Sequence, residues 1–369
     1  MRVRIIQRFL LIVLDFGLLM ALANCSGVSG TTAQNAGDSR IQESIDALGD
    51  SGGIVQLPCR TINLRQTITI RHPVVLQGCG TSIGAPTNEF FNGFHIHAAF
   101  PGTRLVWVGG SGIAIDVGRG RDFDARGTVL RDFNLENQGD GTVGIRINTQ
   151  EPRIINVFVM SLGDEFPGKP FSTAGIVVGD SGLVNDFLCR DCYVRFQEDG
   201  VQLLSVSEGT IDHSRILENR GSNIVLGDPT NIANNIQIVN GTNFSSTRVN
   251  TGAGIKITRA ANIINVENGY CENDEGTFCI DATNIVGGDP HQLNIRDTYF
   301  AKGSAQHPAY AIGLNAPAVN VVITGNVFLG DSVAGVLNER TGALFTQSNL
   351  LLDGTPALLS RNSSTNVKH

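Results

Sequence analysis

Charge and aromatic rings are both scarce in this chain. Charged residues make up 17% of its 369 residues and aromatic residues 6%, with a single tryptophan, Trp107. A chain so weakly charged, with 41% hydrophobic residues, is not a disordered one. Basic residues are the minority, 27 against 34 acidic, and a net charge of −7 gives no general attraction to phosphate backbones. Nucleic acid is therefore excluded as a partner. The 44 glycines follow no collagen period. A second pair of zinc ligands to accompany Cys189-x-x-Cys192 is missing, which argues against a metal centre. Helical periodicity fades after residue 53, no leucine lattice is present, and no coiled-coil tail imposes a trimer.

What is there begins with an address. Arg2, Arg4 and Arg8 precede the apolar stretch Phe9–Ala23, which only Asp15 interrupts and which ends in Ala21-Leu22-Ala23. This pattern predicts a secretory signal over residues 1–25 with an A-x-A cleavage site, too short for a comfortable membrane span. A second reading takes Leu22-Ala23-Asn24-Cys25 as a bacterial lipoprotein box with Cys25 lipidated, although Asn24 departs from the small residue usual there. The expected location is secreted, extracellular or periplasmic, with membrane contact only through the signal or a lipid anchor at the outer membrane or cell surface. Six cysteines remain beside Cys25, an even number compatible with disulfides in an exported protein. Residues 26–38 are small and polar and read as a flexible tether.

Ser39-Arg40-Ile41-Gln42 has capping-box spacing, and Ile41, Ile45 and Leu48 follow at helical intervals before Gly49–Gly53 stops the helix. Beyond it one unit repeats. Gly112-Ile113-Ala114-Ile115, Gly144-Ile145-Arg146-Ile147, Gly175-Ile176-Val177-Val178 and Gly254-Ile255-Lys256-Ile257 share a form, with looser copies beginning at Gly200, Asn223, Cys279, Ala311 and Gly335. Between them lie apolar strands followed by polar turns, such as Val129–Leu135, Ile211–Ile216, Ile263–Tyr270, Leu293–Phe300 and Val321–Phe328. Variable spacing of such units predicts a solenoid whose coils bury an apolar stripe only against one another. A single all-β domain over 39–355 follows, despite a length that would ordinarily suggest two domains. Residues 356–369 read as a C-terminal tail.

The segment Ile41-Gln42…Ile45-Asp46-Ala47-Leu48…Gly52-Gly53-Ile54-Val55-Gln56-Leu57-Pro58, with Ile68-Thr69-Ile70 and Val74-Val75-Leu76-Gln77-Gly78, resembles the N-terminal signature of the pectate-lyase-like superfamily. These are right-handed parallel β-helices and include pectate lyases, polygalacturonases, tailspike depolymerases and C5-epimerases. The resemblance implies that fold over residues 39–355, with the N-terminal helix covering the open solenoid end. It also implies a polysaccharide partner and lyase, hydrolase or epimerase chemistry. Trimers are common among tailspike relatives, so monomer and homotrimer both stand. Cys59 and Cys79 end apolar strands one coil apart, and stacked strands about 4.8 Å apart are within reach of a disulfide. Cys271 and Cys279 enclose a loop that a disulfide closes. Cys189 and Cys192 pair locally or are simply small buried residues, and the second is favoured.

The family motifs Asn-Thr-Asp, Asp-Asp and Gly-His-Gly are missing, and Gly254-Ile255-Lys256-Ile257 only echoes Arg-x-Lys. Calcium would enter only with a lyase activity, and no motif supports it, so no cofactor is expected. If the motif isoleucines face inward, the residues between them form an outer column, Ala114, Arg146, Val177, Gln202, Val225, Lys256, Asp281 and Gly313, whose one acid is Asp281 beside Lys256. Chemistry-bearing residues are denser in 190–220. Stacking Cys189-Arg190-Asp191 on Ile211-Asp212-His213 places Arg190 beside Asp212 and Asp191 beside His213. The same register brings Arg195 near Glu218 and Glu198 near Arg220. An aspartate that holds a histidine's tautomer makes a usable acid or base. Asp191, Asp212, His213 and Glu198 are accordingly the candidate catalytic residues. Arg190, Arg220, Lys256, Asp281 and Trp107 are the candidate substrate-binding residues. The competing reading of this cluster is a solvated ladder of salt bridges. For the whole chain the competing reading is a non-catalytic surface or matrix protein that binds glycan or protein. His95-x-His97 could share a strand face, and Asn240-Gly241-Thr242 is a glycosylation sequon only in a eukaryotic host.

Overall fold

The computed structural model describes residues 30–32, 38–81, 102–119, 124–137, 141–161, 172–245, 252–272, 278–286, 292–301, 311–314, 320–328, 336–338, 343–351, 355 and 357. Helix α1 (Asp38–Asp46) precedes the first coil, and its stripe of Ile41 and Ile45, with Leu48 in the turn after it, is buried against that coil. Gln42 turns its amide onto the terminal strand Ile68–Ile70, accepting from the Thr69 N–H (2.7 Å) and donating to the Thr69 carbonyl (2.9 Å). One side chain thus takes the place of the missing next strand and blunts the open edge. The expected tether is not all free chain. Gly30–Thr32 pairs in parallel with Ile54–Gln56, because the first strand of a stack otherwise presents unpaired backbone groups.

Each full coil has three strands, as in Val184–Arg190, Tyr193–Arg195 and Gln197–Leu203, after which Val206–Asp212 begins the next. Stacking these in parallel builds three faces: a long face through Val184–Arg190, a short face through Tyr193–Arg195, and a glycine face carrying the repeated motif. The interior is dry. Val194, Ile216, Phe244, Cys271, Phe300 and Phe328 follow one another up the inside of the short face, all fully buried. Burying each large side chain contributes roughly 1.5–3 kcal/mol.

The corner from long face to short face is cut by residues in the left-handed region: Asp132, Asn156, Asp191, His213, Asn240, Asn268 and Asp297, with φ between 45° and 62°. Asn, Asp and His tolerate this conformation better than branched residues. From the Cys189–Cys192 coil onward, side chains that turn inward just after the corners, such as Ser214, Thr298 and Asn326, take a backbone N–H of the coil before. Ser214 Oγ accepts from Cys192 N (3.1 Å), Thr298 Oγ1 from Gly269 N (3.3 Å) and Asn326 Oδ1 from Thr298 N (2.9 Å). Buried amides that the turn takes out of the ladder are thereby satisfied.

The motif glycine also has a packing cause. A Cβ on Gly144, Gly200 or Gly254 would lie 2.6–2.8 Å from Val159, Ile216 or Phe244 respectively, the inner residues of the short face. On the glycine face the outer column runs Thr69, Asp116, Arg146, Val177, Gln202, Val225, Lys256, Asp281, Gly313. It corrects the expected column at its start. Ala114 lies opposite Gly144 and is fully buried, so Asp116, two residues on, stands beside Arg146. The slip arises because Ala114, not Gly112, fills the crowded small-residue position in that coil.

Three disulfides are formed, Cys59–Cys79, Cys189–Cys192 and Cys271–Cys279. The middle one corrects the favoured reading of two merely buried cysteines. In a straight strand Cα atoms three residues apart lie about 10 Å from each other. The left-handed Asp191 folds the chain back, and the two Cα atoms are 6.1 Å apart, within disulfide range. No helix among the described residues is long and apolar enough to cross a membrane.

Candidate functional site

The corner places His213 and Asp191 on adjacent coils, with His213 Nδ1 2.7 Å from Asp191 Oδ1. Both are open to solvent, the His213 side chain 72% exposed. Arg190 lies opposite Asp212 in the strand register, but its guanidinium turns to Asp191, 3.8 Å away. Asp212 instead accepts from the Asn240 amide at 2.7 Å. Glu198 and Arg220 form an ion pair at the far end of the short strands. Since Tyr193–Arg195 and Arg215–Leu217 span about 10 Å, the expected cluster divides into two groups on opposite rims of the short face. Arg195 stands opposite Leu217, so Glu218 faces the next position, Phe196. The Arg195 guanidinium lies 4.1 Å from the Phe196 ring centre and 3.5 Å from the Tyr193 hydroxyl.

Other expected contacts divide similarly. Lys256 and Asp281 are neighbours in register, yet no ion pair joins them. Asp281 closes its own turn, accepting from Thr283 N (2.9 Å) and Thr283 Oγ1 (2.6 Å). Trp107 is a core residue, 3% exposed, and its indole N–H is held by the Gly110 carbonyl at 2.7 Å. Its faces are packed, which removes it as a sugar platform. Cys25, the signal segment, His95 and His97 lie outside the described residues. Among the described residues no three His, Cys, Asp or Glu side chains converge as a metal site would require.

Between the two rims lies a surface that the motif search overlooked. Phe158, Tyr193, Arg215, Asn243, Tyr270 and Tyr299 are consecutive members, one per coil, of the outer column of the short face, which continues through Asn134 and Arg104 on one side and Val327 and Leu350 on the other; Phe158 and Tyr193 are buried, and Tyr270 and Tyr299 half-buried. Phe158 meets Tyr193 edge to face at 5.0 Å, and Tyr270 stacks on Tyr299 at 5.3 Å with planes 12° apart. The Tyr270 hydroxyl donates to Glu272 Oε2 at 3.0 Å. Burial pushes the Tyr193 phenol up from its usual range. The nearby Arg195 and Arg215 work against that, and Glu218 adds to it. Below this surface Arg104 holds the buried Glu136 through its Nε (3.0 Å) and Nη2. The signal was present in the triplets Tyr193-Val194-Arg195, Arg215-Ile216-Leu217, Tyr270-Cys271-Glu272 and Tyr299-Phe300-Ala301. In each the first residue falls two places after a corner residue and points outward.

The glycine face carries a separate, structural charge network. Asp116 is nearly buried between Arg71 and Arg146. Burial alone would raise its carboxyl, but hydrogen bonds from Arg146 and Arg71 and their charges outweigh that and hold it below the usual carboxylate range.

No protein-family model matches the chain, and no curated protein matches it in sequence. Solved structures do match. DFA-IIIase from Arthrobacter chlorophenolicus A6 superposes with a TM-score of 0.59 at 12% identity, over 91% of this chain and 87% of that one. The fold is a parallel β-helix. A C387A mutant of the same DFA-IIIase, in complex with DFA-III, aligns with a TM-score of 0.57 at 12% identity, covering 90% of this chain and 87% of that one. The A-module of mannuronan C-5 epimerase AlgE4 from Azotobacter vinelandii aligns at a TM-score of 0.45 and 14% identity, over 88% of this chain and 95% of that module. Against ORF18 of Geobacillus virus E2 the chain covers only 62% of the partner's length, with a TM-score of 0.48 and 13% identity.

Proposed function

We propose that the protein is a carbohydrate-active β-helix that lays a saccharide along the outer surface of its short face. The observation that carries this is the outer aromatic column, above all the half-buried Tyr270–Tyr299 stack with Glu272 hydrogen-bonded to it. Aromatic rings beside carboxylates and guanidinium groups suit a sugar, which offers apolar C–H faces and a rim of hydroxyls. The DFA-IIIase likeness supports the reading at the level of fold only. Three disulfides agree with an oxidising, extracytoplasmic setting, where such a ligand is met.

For catalysis the best-placed group is His213, held by Asp191 on the rim of the same face and two residues from Arg215. In this role Asp191 orients the imidazole, which transfers a proton to or from the bound saccharide during hydrolysis, β-elimination or epimerisation. The experiment is incubation with a panel of neutral and acidic polysaccharides, read for new reducing ends, for unsaturated-uronate absorbance and for epimerised sugar by NMR. Wild type turns over at least one member, and His213→Ala and Asp191→Asn lose that turnover while still binding. Binding without turnover by the wild type would establish the second reading, a non-catalytic glycan-binding β-helix. That reading is favoured by one observation: Asp191, Glu198 and Glu136 are each already paired with a basic side chain.

A further inference from the structure

Asp191 and His213 meet at 2.7 Å on an exposed rim. Among the described residues Asp191 has one further side-chain partner, Arg190, whose Nε is 3.8 Å away. Asp132 and Asn156, the corner residues of the two coils before, are bonded to each other at 2.9 Å and are pinned from outside as well. Arg131 Nε donates to Asp132 Oδ2 (2.6 Å) and Thr81 Oγ1 to Asn156 Oδ1 (2.7 Å). What Asp191 has instead lies beneath it. At three other corners a hydroxyl reaches back past the left-handed residue to the last carbonyl of the long-face strand. Ser214 Oγ donates to the Asp212 carbonyl (2.8 Å), Thr242 Oγ1 to that of Val239 (2.7 Å) and Thr298 Oγ1 to that of Arg296 (2.9 Å). Cys192 occupies that position behind Asp191, with Sγ 3.7 Å from the Arg190 carbonyl oxygen. A disulfide sulfur has no proton to donate, and this turn is closed by the bond to Cys189, across Arg190 and Asp191.

We infer that the Cys189–Cys192 bond is a positioning brace for the Asp191–His213 pair, doing covalently what a hydroxyl does at the neighbouring corners. The inference rests on the reading of His213 as the proton-transfer group and adds what fixes its orientation. Asp191 has a φ of 55°, a conformation disfavoured for a residue with a Cβ. Without a brace the turn relaxes towards ordinary backbone conformations, and the Asp191 carboxylate swings away from the next coil. His213 then loses the acceptor that selects its tautomer. An ionised carboxylate only accepts hydrogen bonds, so the contact with Asp191 requires the proton on Nδ1 and leaves Nε2 of the neutral ring free to accept one. With the tautomer reversed, Nε2 already carries a proton and cannot act as the base. The two cysteines touch no substrate in this role. They act through Asp191, and Asp191 acts through His213.

The test compares two double variants of the full chain that both lack the disulfide. Cys189→Ile with Cys192→Ser repeats the next coil, Ile211-Asp212-His213-Ser214, and puts a hydroxyl brace in place of the bond. Cys189→Ile with Cys192→Val repeats the coil before, Ile154-Ile155-Asn156-Val157, and leaves the corner unbraced. Each pattern is one this stack already folds, so melting curves of the two variants should be close to one another. The His213 tautomer is read by long-range nitrogen–proton correlation NMR at about pH 8.5, where imidazoles are neutral, with His213→Gln identifying its signals. Wild type and the serine variant show mainly the Nδ1–H form. The valine variant shows the Nε2–H form, as Asp191→Ala does. On a polysaccharide that wild type turns over, kcat falls by about tenfold or more in the valine variant at unchanged KM and recovers to within about twofold in the serine variant. A wild-type spectrum from the valine variant would overturn the brace. Loss of the Nδ1–H form from the serine variant would overturn its equivalence to a hydroxyl. Absence of turnover by wild type would count against the proton-transfer reading alone, since the tautomer spectra need no substrate.

Discussion

Replacing Gln42 with alanine removes a side chain that finishes the edge of the glycine face. Two hydrogen bonds are lost, from Thr69 N to Gln42 Oε1 and from Gln42 Nε2 to the Thr69 carbonyl. A net contribution of about 0.5–1.5 kcal/mol for each gives about 1–3 kcal/mol for the pair. Thr69 is only half-buried, so water replaces part of the loss and the expected cost lies towards about 1 kcal/mol. The contact of Gln42 with Asp46 is exposed and adds little. Urea unfolding should show a lower midpoint at unchanged slope, since no large surface is newly exposed. Gln42→Glu sharpens the test. At neutral pH its carboxylate still accepts from Thr69 N but faces the Thr69 carbonyl with no proton to give. Its stability should recover on acidification through about pH 4, where the new carboxyl protonates. A Gln42→Ala variant as stable as wild type, with Gln42→Glu insensitive to pH, would refute the reading of Gln42 as a surrogate strand.

Three further outcomes follow from the same geometry. Breaking Cys59–Cys79, Cys271–Cys279 or Cys189–Cys192 by paired serine substitutions should cost about 3, 2.5 and 2 kcal/mol in that order, since the closed loops shorten in that order; reversal in denaturant midpoints would count against chain entropy as the cause. Asp228 is held down to about 2: burial works to raise it, but hydrogen bonds from Asn231 and Thr230 prevail. Because the folded value is depressed, its stabilisation is complete above the unfolded value near about 4 and is lost as pH falls through about 2. The melting-temperature gap between wild type and Asp228→Asn should therefore be present at neutral pH and close near pH 2. Trp107, packed in the core, should emit as a buried indole and show no quenching when a saccharide is added; strong quenching would restore it as a sugar platform.

The stack of coils was legible because its cause is periodic. Isoleucines of the motif must face inward, and the glycine before them must yield room to Val159, Ile216 or Phe244, so the pattern recurs in the sequence. From Arg146 to Gly313 the expected column matches the register, and it failed only where alanine replaces the motif glycine at Ala114. The Asp191–His213 contact was legible for the same reason, as strand pairing fixes it. The aromatic column was harder to see. Its tyrosine strands are three residues long, too short for an alternating pattern, and the Asn, Asp and His corners that set them are residue types shared with ordinary turns. The Cys189–Cys192 disulfide depended on that same hidden corner, and the burial of Trp107 depended on packing contacts distant from any motif.

The most direct test of a saccharide-binding short face is hydroxyl-radical footprinting of the full chain with and without a saccharide that binds it. Protection centred on Tyr270, Tyr299 and His213, with the Gln237–Asn265–Asn294 stretch of the long face unchanged, is the result expected. Protection of the long face or the glycine face, with the short face unaltered, would contradict the account.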